Sequence, residues 1–243
     1  MTMFGVSLLG VVLAGACAAG EPRLAVAASR APERATRAGL APVLARELVV
    51  TSGRLEPEPG AAAGAARDAD RFLIRSPLLR AWVGQQSRAS LELEFVYLGP
   101  TGSAAPLGSG ELRRQIGLEL HAQDSCNLLY VMWRIEPVQR LVVSLKSNPG
   151  QHQHSECADR GYLNLEPDRA RELGPLRVGE RHVLRAAVLE PTPAGAELEV
   201  QVDGVSVWRG RLPAAAAALA GPVGLRSDNA QFQVRLRAGS PSQ

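Results

Sequence analysis

Residues 197–208, Glu-Leu-Glu-Val-Gln-Val-Asp-Gly-Val-Ser-Val-Trp, constrain this chain more than any other stretch. Leu198, Val200 and Val202 alternate with polar residues up to Asp203-Gly204, and Val205 and Val207 resume the alternation. Asp-Gly between two alternating runs predicts a β-hairpin, because a type I′ turn needs φ > 0 at both central positions. Residues 221–236, Gly-Pro-Val-Gly-Leu-Arg-Ser-Asp-Asn-Ala-Gln-Phe-Gln-Val-Arg-Leu, predict a further turn and a closing strand. The C-terminal third is therefore antiparallel β.

The same period-2 reading predicts strands upstream. Residues 48–51 and 72–74 are short apolar runs. In 90–97, Leu91, Leu93, Phe95 and Tyr97 share one face. In 114–121, Ile116, Leu118 and Leu120 point inward. Residues 127–135 are apolar on both faces, which predicts a central, covered strand. Strands are also expected at 140–146, 181–188 and 231–237, with loops at 57–66 and 99–110 and a short helix or spacer at 214–220. Trp82 falls in a stretch with no clear period. Many short strands separated by turn signals mean a sandwich or a barrel.

Composition narrows what such a fold can do. Aromatic residues make up only 4% of the 243, so the core rests on Leu and Val. The net charge is +3, and Lys146 is the only lysine among arginines scattered along the chain. No basic stripe interleaved with aromatics is present, which argues against nucleic-acid binding. No nucleophile elbow, phosphate loop or zinc-finger spacing occurs.

The N-terminus carries an address. Residues 4–16 form an apolar run too short to span a bilayer, followed by small residues and Cys17. This is the pattern of a secretory signal peptide over 1–16. Residues 17–45, rich in Ala, Arg, Pro and Gly, are expected to be a flexible linker. The folded domain is expected over 46–238, with a tail at 239–243. Export leaves Cys126 and Cys157 in an oxidising compartment, where a disulfide is the default and two free thiols the alternative.

Leu13-Ala-Gly-Ala-Cys17 resembles the lipobox of bacterial lipoproteins, although Ala14 replaces the usual Leu and no basic residue precedes the run. The resemblance implies lipidation of Cys17 and an outer-membrane or cell-surface location; the alternative is plain signal-peptidase cleavage after Ala16 or Ala19, with Cys17 incidental. The tail, Val178-Gly-Glu-Arg-His-Val-Leu-Arg, then 202–208, then 221–229 and a last strand, resembles the closing strands of concanavalin A-like lectin/glucanase jelly rolls, especially LamG-like and laminarinase-type domains. That family implies an all-β, two-sheet antiparallel jelly-roll sandwich, often with glycans on its concave face.

Candidate site residues follow. Glucanases of this superfamily set two or three carboxylates on one strand face, and retaining chemistry needs two of them about 5–5.5 Å apart. The nearest match is Glu92-Leu-Glu94, with Glu119 and His121 as a second i, i+2 pair; the plain alternative is a solvated sheet face. His152-Gln-His154-Ser-Glu156-Cys157 offers alternate metal-ligand types, against which stands a polar loop pinned by the disulfide. Asp228-Asn229 suits either a calcium ligand or a turn. Among Trp82, Trp133 and Trp208, Trp82 is the best candidate to stack on a sugar ring, and His121 is a second candidate ligand contact. No cofactor is expected apart from calcium at Asp228. The expectation is a monomeric, surface-anchored sandwich that binds carbohydrate without catalysis. The alternatives are a laminarinase-like glycoside hydrolase, or a structural envelope lipoprotein with no small ligand.

Overall fold

The computed structural model describes residues 39–59, 68–192 and 195–241. The apolar run 4–16, Cys17, most of the 17–45 linker and part of the 57–66 loop lie outside the described residues. Among the described residues, sixteen strands, two short α-helices and a 3-10 turn at Ala45–Glu47 follow one another. They are β1 (Ala41–Pro42), β2 (Leu48–Ser52), β3 (Leu55–Pro57), β4 (Arg71–Ile74), β5 (Leu78–Val83), β6 (Ser90–Pro100), β7 (Arg114–Leu120), β8 (Leu128–Glu136) and β9 (Arg140–Lys146). After them come α1 (His154–Cys157), β10 (Tyr162–Asn164), β11 (Arg169–Ala170), β12 (Arg181–Thr192), β13 (Gly195–Val202), β14 (Val205–Arg211), α2 (Ala214–Ala217), β15 (Gly224–Asp228) and β16 (Ala230–Ala238).

The strands form two antiparallel sheets stacked as a jelly-roll sandwich. One sheet has nine strands in the order β11-β14-β13-β12-β6-β16-β4-β3, with β1 added beside β16; the other has seven, ordered β10-β9-β8-β7-β15-β5-β2. Alternation decides which side chains meet between them. Leu91, Leu93, Phe95 and Tyr97 of β6 and Phe232, Val234 and Leu236 of β16 face Ile116, Leu118, Val131, Trp133 and Leu225 of the opposing sheet. Phe95 meets Trp133 edge to face at 5.8 Å between centroids. Burying each such side chain contributes roughly 1.5–3 kcal/mol. Trp133 is a core residue, not a ligand platform, and so is Trp208.

The Asp203-Gly204 hairpin has the geometry its sequence requires, with φ of 52° and 80°. The Asp203 carboxylate reaches back to the Val183 amide at 2.7 Å and the His182 ring at 2.8 Å, tying the turn to β12.

Two boundaries differ from expectation. Residues 41–45 belong to the sandwich, not to the linker: Ala41 and Pro42 pair with Ala238 and Arg237, and Val43 is buried. Trp82 lies on a regular strand, β5, between β2 and β15.

Candidate functional site

Alternation that buries Leu118, Val131 and Leu225 turns the other residues of the seven-stranded sheet outward, and the strand registers line them up in rows. One row runs Asn164, Ser144, Tyr130, Glu119, Gly224, Trp82 from β10 to β5. The next runs Val142, Met132, Gly117, Arg226, Arg80, and a third Arg140, Arg134, Gln115, Asp228, Leu78. These rows floor a groove of about 670 Å³, within the usual size of ligand sites.

Two glycines shape the floor. Gly224 separates Glu119 from Trp82 and has no side chain to intervene, so the indole Nε1 donates to Glu119 Oε2 at 2.7 Å across it. A Cβ at Gly224 would come within 2.6 Å of Trp82 Cδ1 and of the Ala81 carbonyl. At Gly117 a Cβ would lie 2.1 Å from the Val131 carbonyl and 2.7 Å from Met132 Sδ. Across that gap the Arg226 guanidinium sits 5.2 Å from the centre of the Tyr130 ring. Tyr130 in turn stacks on Tyr162 at 6.0 Å, and the Lys146 ammonium lies 5.3 Å from the Tyr162 ring. Two stacked rings are thus flanked by a cation at each end.

Charge inside the groove is only partly balanced. Arg226 donates to both oxygens of Asp228, at 2.9 and 3.3 Å, and Gln115 Nε2 reaches the same carboxylate at 2.6 Å. Burial weighs against the Arg226 charge, but Asp228 holds it firmly protonated. Arg80 stands 3.9 Å from Glu119. Burial pushes the Tyr130 hydroxyl well up, beyond ordinary titration. Burial, then Arg113 and Arg140, push Arg134 down to about 10. Burial, then Arg80 and Arg226, push Lys146 down to about 8. Glu119 Oε1, Gln115 Oε1 and the Tyr130 hydroxyl are buried without a protein hydrogen-bond partner.

Two loops wall the groove. Residues 106–109 form one side, held by Asn229. That side chain donates to the carbonyls of Ala105 and Arg113, each at 2.9 Å, and accepts from the Ala105 amide at 2.7 Å. Ser125, His154 and Asp159 form the other side. The Cys126–Cys157 disulfide closes that segment. Lys146 Nζ donates to the Ser125 and Ala158 carbonyls at 3.2 and 2.8 Å, fastening it to β9.

Several expected site residues are placed elsewhere. Glu92 and Glu94 lie on the outer face of the nine-stranded sheet, with the whole core between them and Glu119, so they form no catalytic pair with it. Nor do they face open solvent. Glu92 is buried between its cross-strand neighbours Arg185 and Arg237, and Glu94 pairs with Arg181. His121 leaves the groove, because a φ of 48° after β7 breaks the alternation and turns the ring toward the Leu219 carbonyl.

His152, His154 and Asp228 do not converge. His152 bonds Asp124 at 2.8 Å, while Glu156 caps α1 by accepting from the His152 and Gln153 amides. His154 lines the groove and Asp228 is taken up by Arg226 and Gln115. Among the described residues no three His, Cys, Asp or Glu side chains gather as a metal set. Asn229, with φ of 55°, makes the turn that its sequence also allowed.

Sequence reasoning found Trp82 and Glu119 but missed Arg80, Tyr130, Arg134, Arg140 and Arg226. The signal was present: in 78–83 and 224–228 the alternation puts Arg80 with Trp82 and Arg226 with Asp228.

No protein-family profile and no curated protein matches the chain. Among solved structures it is similar to a candidate glycosyl hydrolase from Parabacteroides distasonis, with TM-score 0.48, 11% identity and coverage of 83% of this chain and 98% of that one. It is also similar to the Caenorhabditis elegans galectin LEC-6, with TM-score 0.41, 12% identity and coverage of 70% and 96%. The carbohydrate recognition domain of Emp46p gives TM-score 0.47, 11% identity and coverage of 81% and 89%. Likenesses this distant assign neither ligand nor reaction.

Proposed function

We propose that the chain is a non-catalytic carbohydrate-binding sandwich and that glycans lie in the groove of the seven-stranded sheet. The observation that carries this is Trp82, a partly exposed indole at the groove, fixed in orientation by its hydrogen bond to Glu119. A sugar ring offers an apolar C–H face to such a platform, and holding the platform still lowers the entropy cost of binding. The Tyr130 hydroxyl and Gln115 Oε1, buried in the groove lining, lack protein hydrogen-bond partners. A structural envelope protein needs no such surface. A hydrolase needs a carboxylate pair, and Glu92 and Glu94 lie on the far face of the sandwich from Glu119.

The same reading places the domain outside the inner membrane, tethered by lipid on Cys17. The supports are the apolar run 4–16 ahead of Cys17 and the formed disulfide. Labelled fatty acid fed to the native host should enter the protein and be lost in Cys17→Ser.

The test of function is a glycan screen of the full chain beside Trp82→Ala. Saturable binding that disappears in Trp82→Ala supports the proposal. Silence across plant, algal and bacterial envelope glycans overturns it and leaves an envelope scaffold.

A further inference from the structure

Two arginines of the groove, Arg134 and Arg140, differ from those on the opposite face. On the nine-stranded sheet, Arg181 is paired with Glu94, Arg209 with Glu197, Arg235 with Asp70, and Arg237 approaches Glu92. In the groove, Arg134 and Arg140 face each other directly across β8 and β9. Among the described residues neither has a carboxylate within 4.0 Å, and Arg134 Nε is buried without an acceptor. Glu111 pairs directly with Arg113 and acts on Arg134 and Arg140 only at longer range. Like charges directly opposite on a sheet repel. Burial, then the flanking Arg113 and Arg140 charges, push Arg134 down, and the more distant Glu111 carboxylate offsets this only in part. Lys146, buried at the other edge of the floor, is satisfied only by carbonyls.

We propose that the groove selects a polyanionic glycan, with carboxylates or sulfates seated on Arg134 and Arg140 while another ring of the same chain stacks on Trp82. This rests on the glycan reading above and adds the substrate class. Planar guanidinium forks match carboxylate and sulfate oxygens in pairs, and an anion between Arg134 and Arg140 converts their repulsion into two attractions. The registers also set ligand length. Trp82 is three strands from Arg134 and four from Arg140, about 14 and about 19 Å across the sheet, and two rows, about 13 Å, along it. A monosaccharide cannot reach both; an oligosaccharide several units long can.

The test is a titration of the full chain with polygalacturonate, with the same polymer after reduction of its carboxylates to alcohols, and with dextran sulfate against dextran. Arg134→Gln/Arg140→Gln is run in parallel, with Arg209→Gln on the opposite face as the control. The expected result is that at least one charged polymer binds about tenfold or more tighter than its neutral counterpart, with affinity falling as salt rises. The carboxylate and sulfate arms show which anion is preferred. The double variant should lose the preference for charge, while Arg209→Gln behaves as wild type. Equal binding of charged and neutral polymers overturns this inference and leaves the glycan reading standing. Absence of binding to all four polymers and in the broader glycan screen removes both. A charge preference that survives in the double variant, or a single-stranded oligonucleotide that binds more tightly than any glycan, also overturns it.

Discussion

Trp82 donates a 2.7 Å hydrogen bond to Glu119 across Gly224, three residues on three adjacent strands that sequence separates by 37 to 142 positions. The contact exists because the middle strand presents a residue without a side chain. Gly224→Ala would put a methyl group within 2.6 Å of the indole and of a backbone carbonyl that cannot move aside cheaply. The expected cost is about 1–3 kcal/mol of stability. Acrylamide quenching should report a larger accessible tryptophan fraction, since Trp133 and Trp208 stay buried.

The disulfide holds one wall of the groove. Cys126 and Cys157 are 31 residues apart, so replacing both with Ser should cost roughly 3–4 kcal/mol in the chain-entropy account. A denaturant melt measures it. Reductant added to the wild-type chain should reproduce the loss and leave the double variant unchanged.

Asn229 holds the opposite wall with three hydrogen bonds to backbone and adopts φ of 55°. Removing its side chain leaves buried backbone groups unpaired, at about 2 kcal/mol or more. Asn229→Ala should be worse than Asn229→Gly by about 1 kcal/mol, because only glycine takes that φ freely. Hydrogen exchange in residues 101–113 should rise in both.

Lys146 gives stability an unusual pH dependence. Its amine is lowered from 10.5 to about 8 by burial and by Arg80 and Arg226. Below about pH 8 both folded and unfolded chains hold the proton, and the full penalty for burying the charge is present. From about pH 8 to 10 the unfolded chain keeps a proton that the folded chain has released, so stability rises with pH. Above about pH 10, Tyr97 and Tyr130 oppose this, since burial raises both and they retain protons that the unfolded chain loses. Melting temperature should climb between about pH 8 and 10 in the wild type and lie flat in Lys146→Met.

Legibility in the sequence followed periodicity. The hairpin at Asp203-Gly204, the β6 face and the β8 strand could be read because a single strand's alternation reports its own inward face. The disulfide could be read from the expectation of export and the cysteine count. The groove could not be assembled, because its rows depend on the register between strands distant in sequence, as with Tyr130 beside Glu119 or Arg134 opposite Arg140. Register also explains the misplaced carboxylates. Glu92-Leu-Glu94 and Glu119 look alike along the chain, and only the assignment of β6 and β7 to different sheets sends them to opposite faces. His121 was lost to a positive φ that no residue pattern announced.

The central claim is that glycan binds the seven-stranded face, and the most direct measurement compares binding isotherms of wild type, Trp82→Ala and Arg209→Gln for one glycan. Each variant is first shown by thermal melting to be folded. The account predicts that Trp82→Ala weakens binding about tenfold or more while Arg209→Gln binds as wild type. Wild-type affinity in Trp82→Ala, or an equal loss in Arg209→Gln, would contradict it.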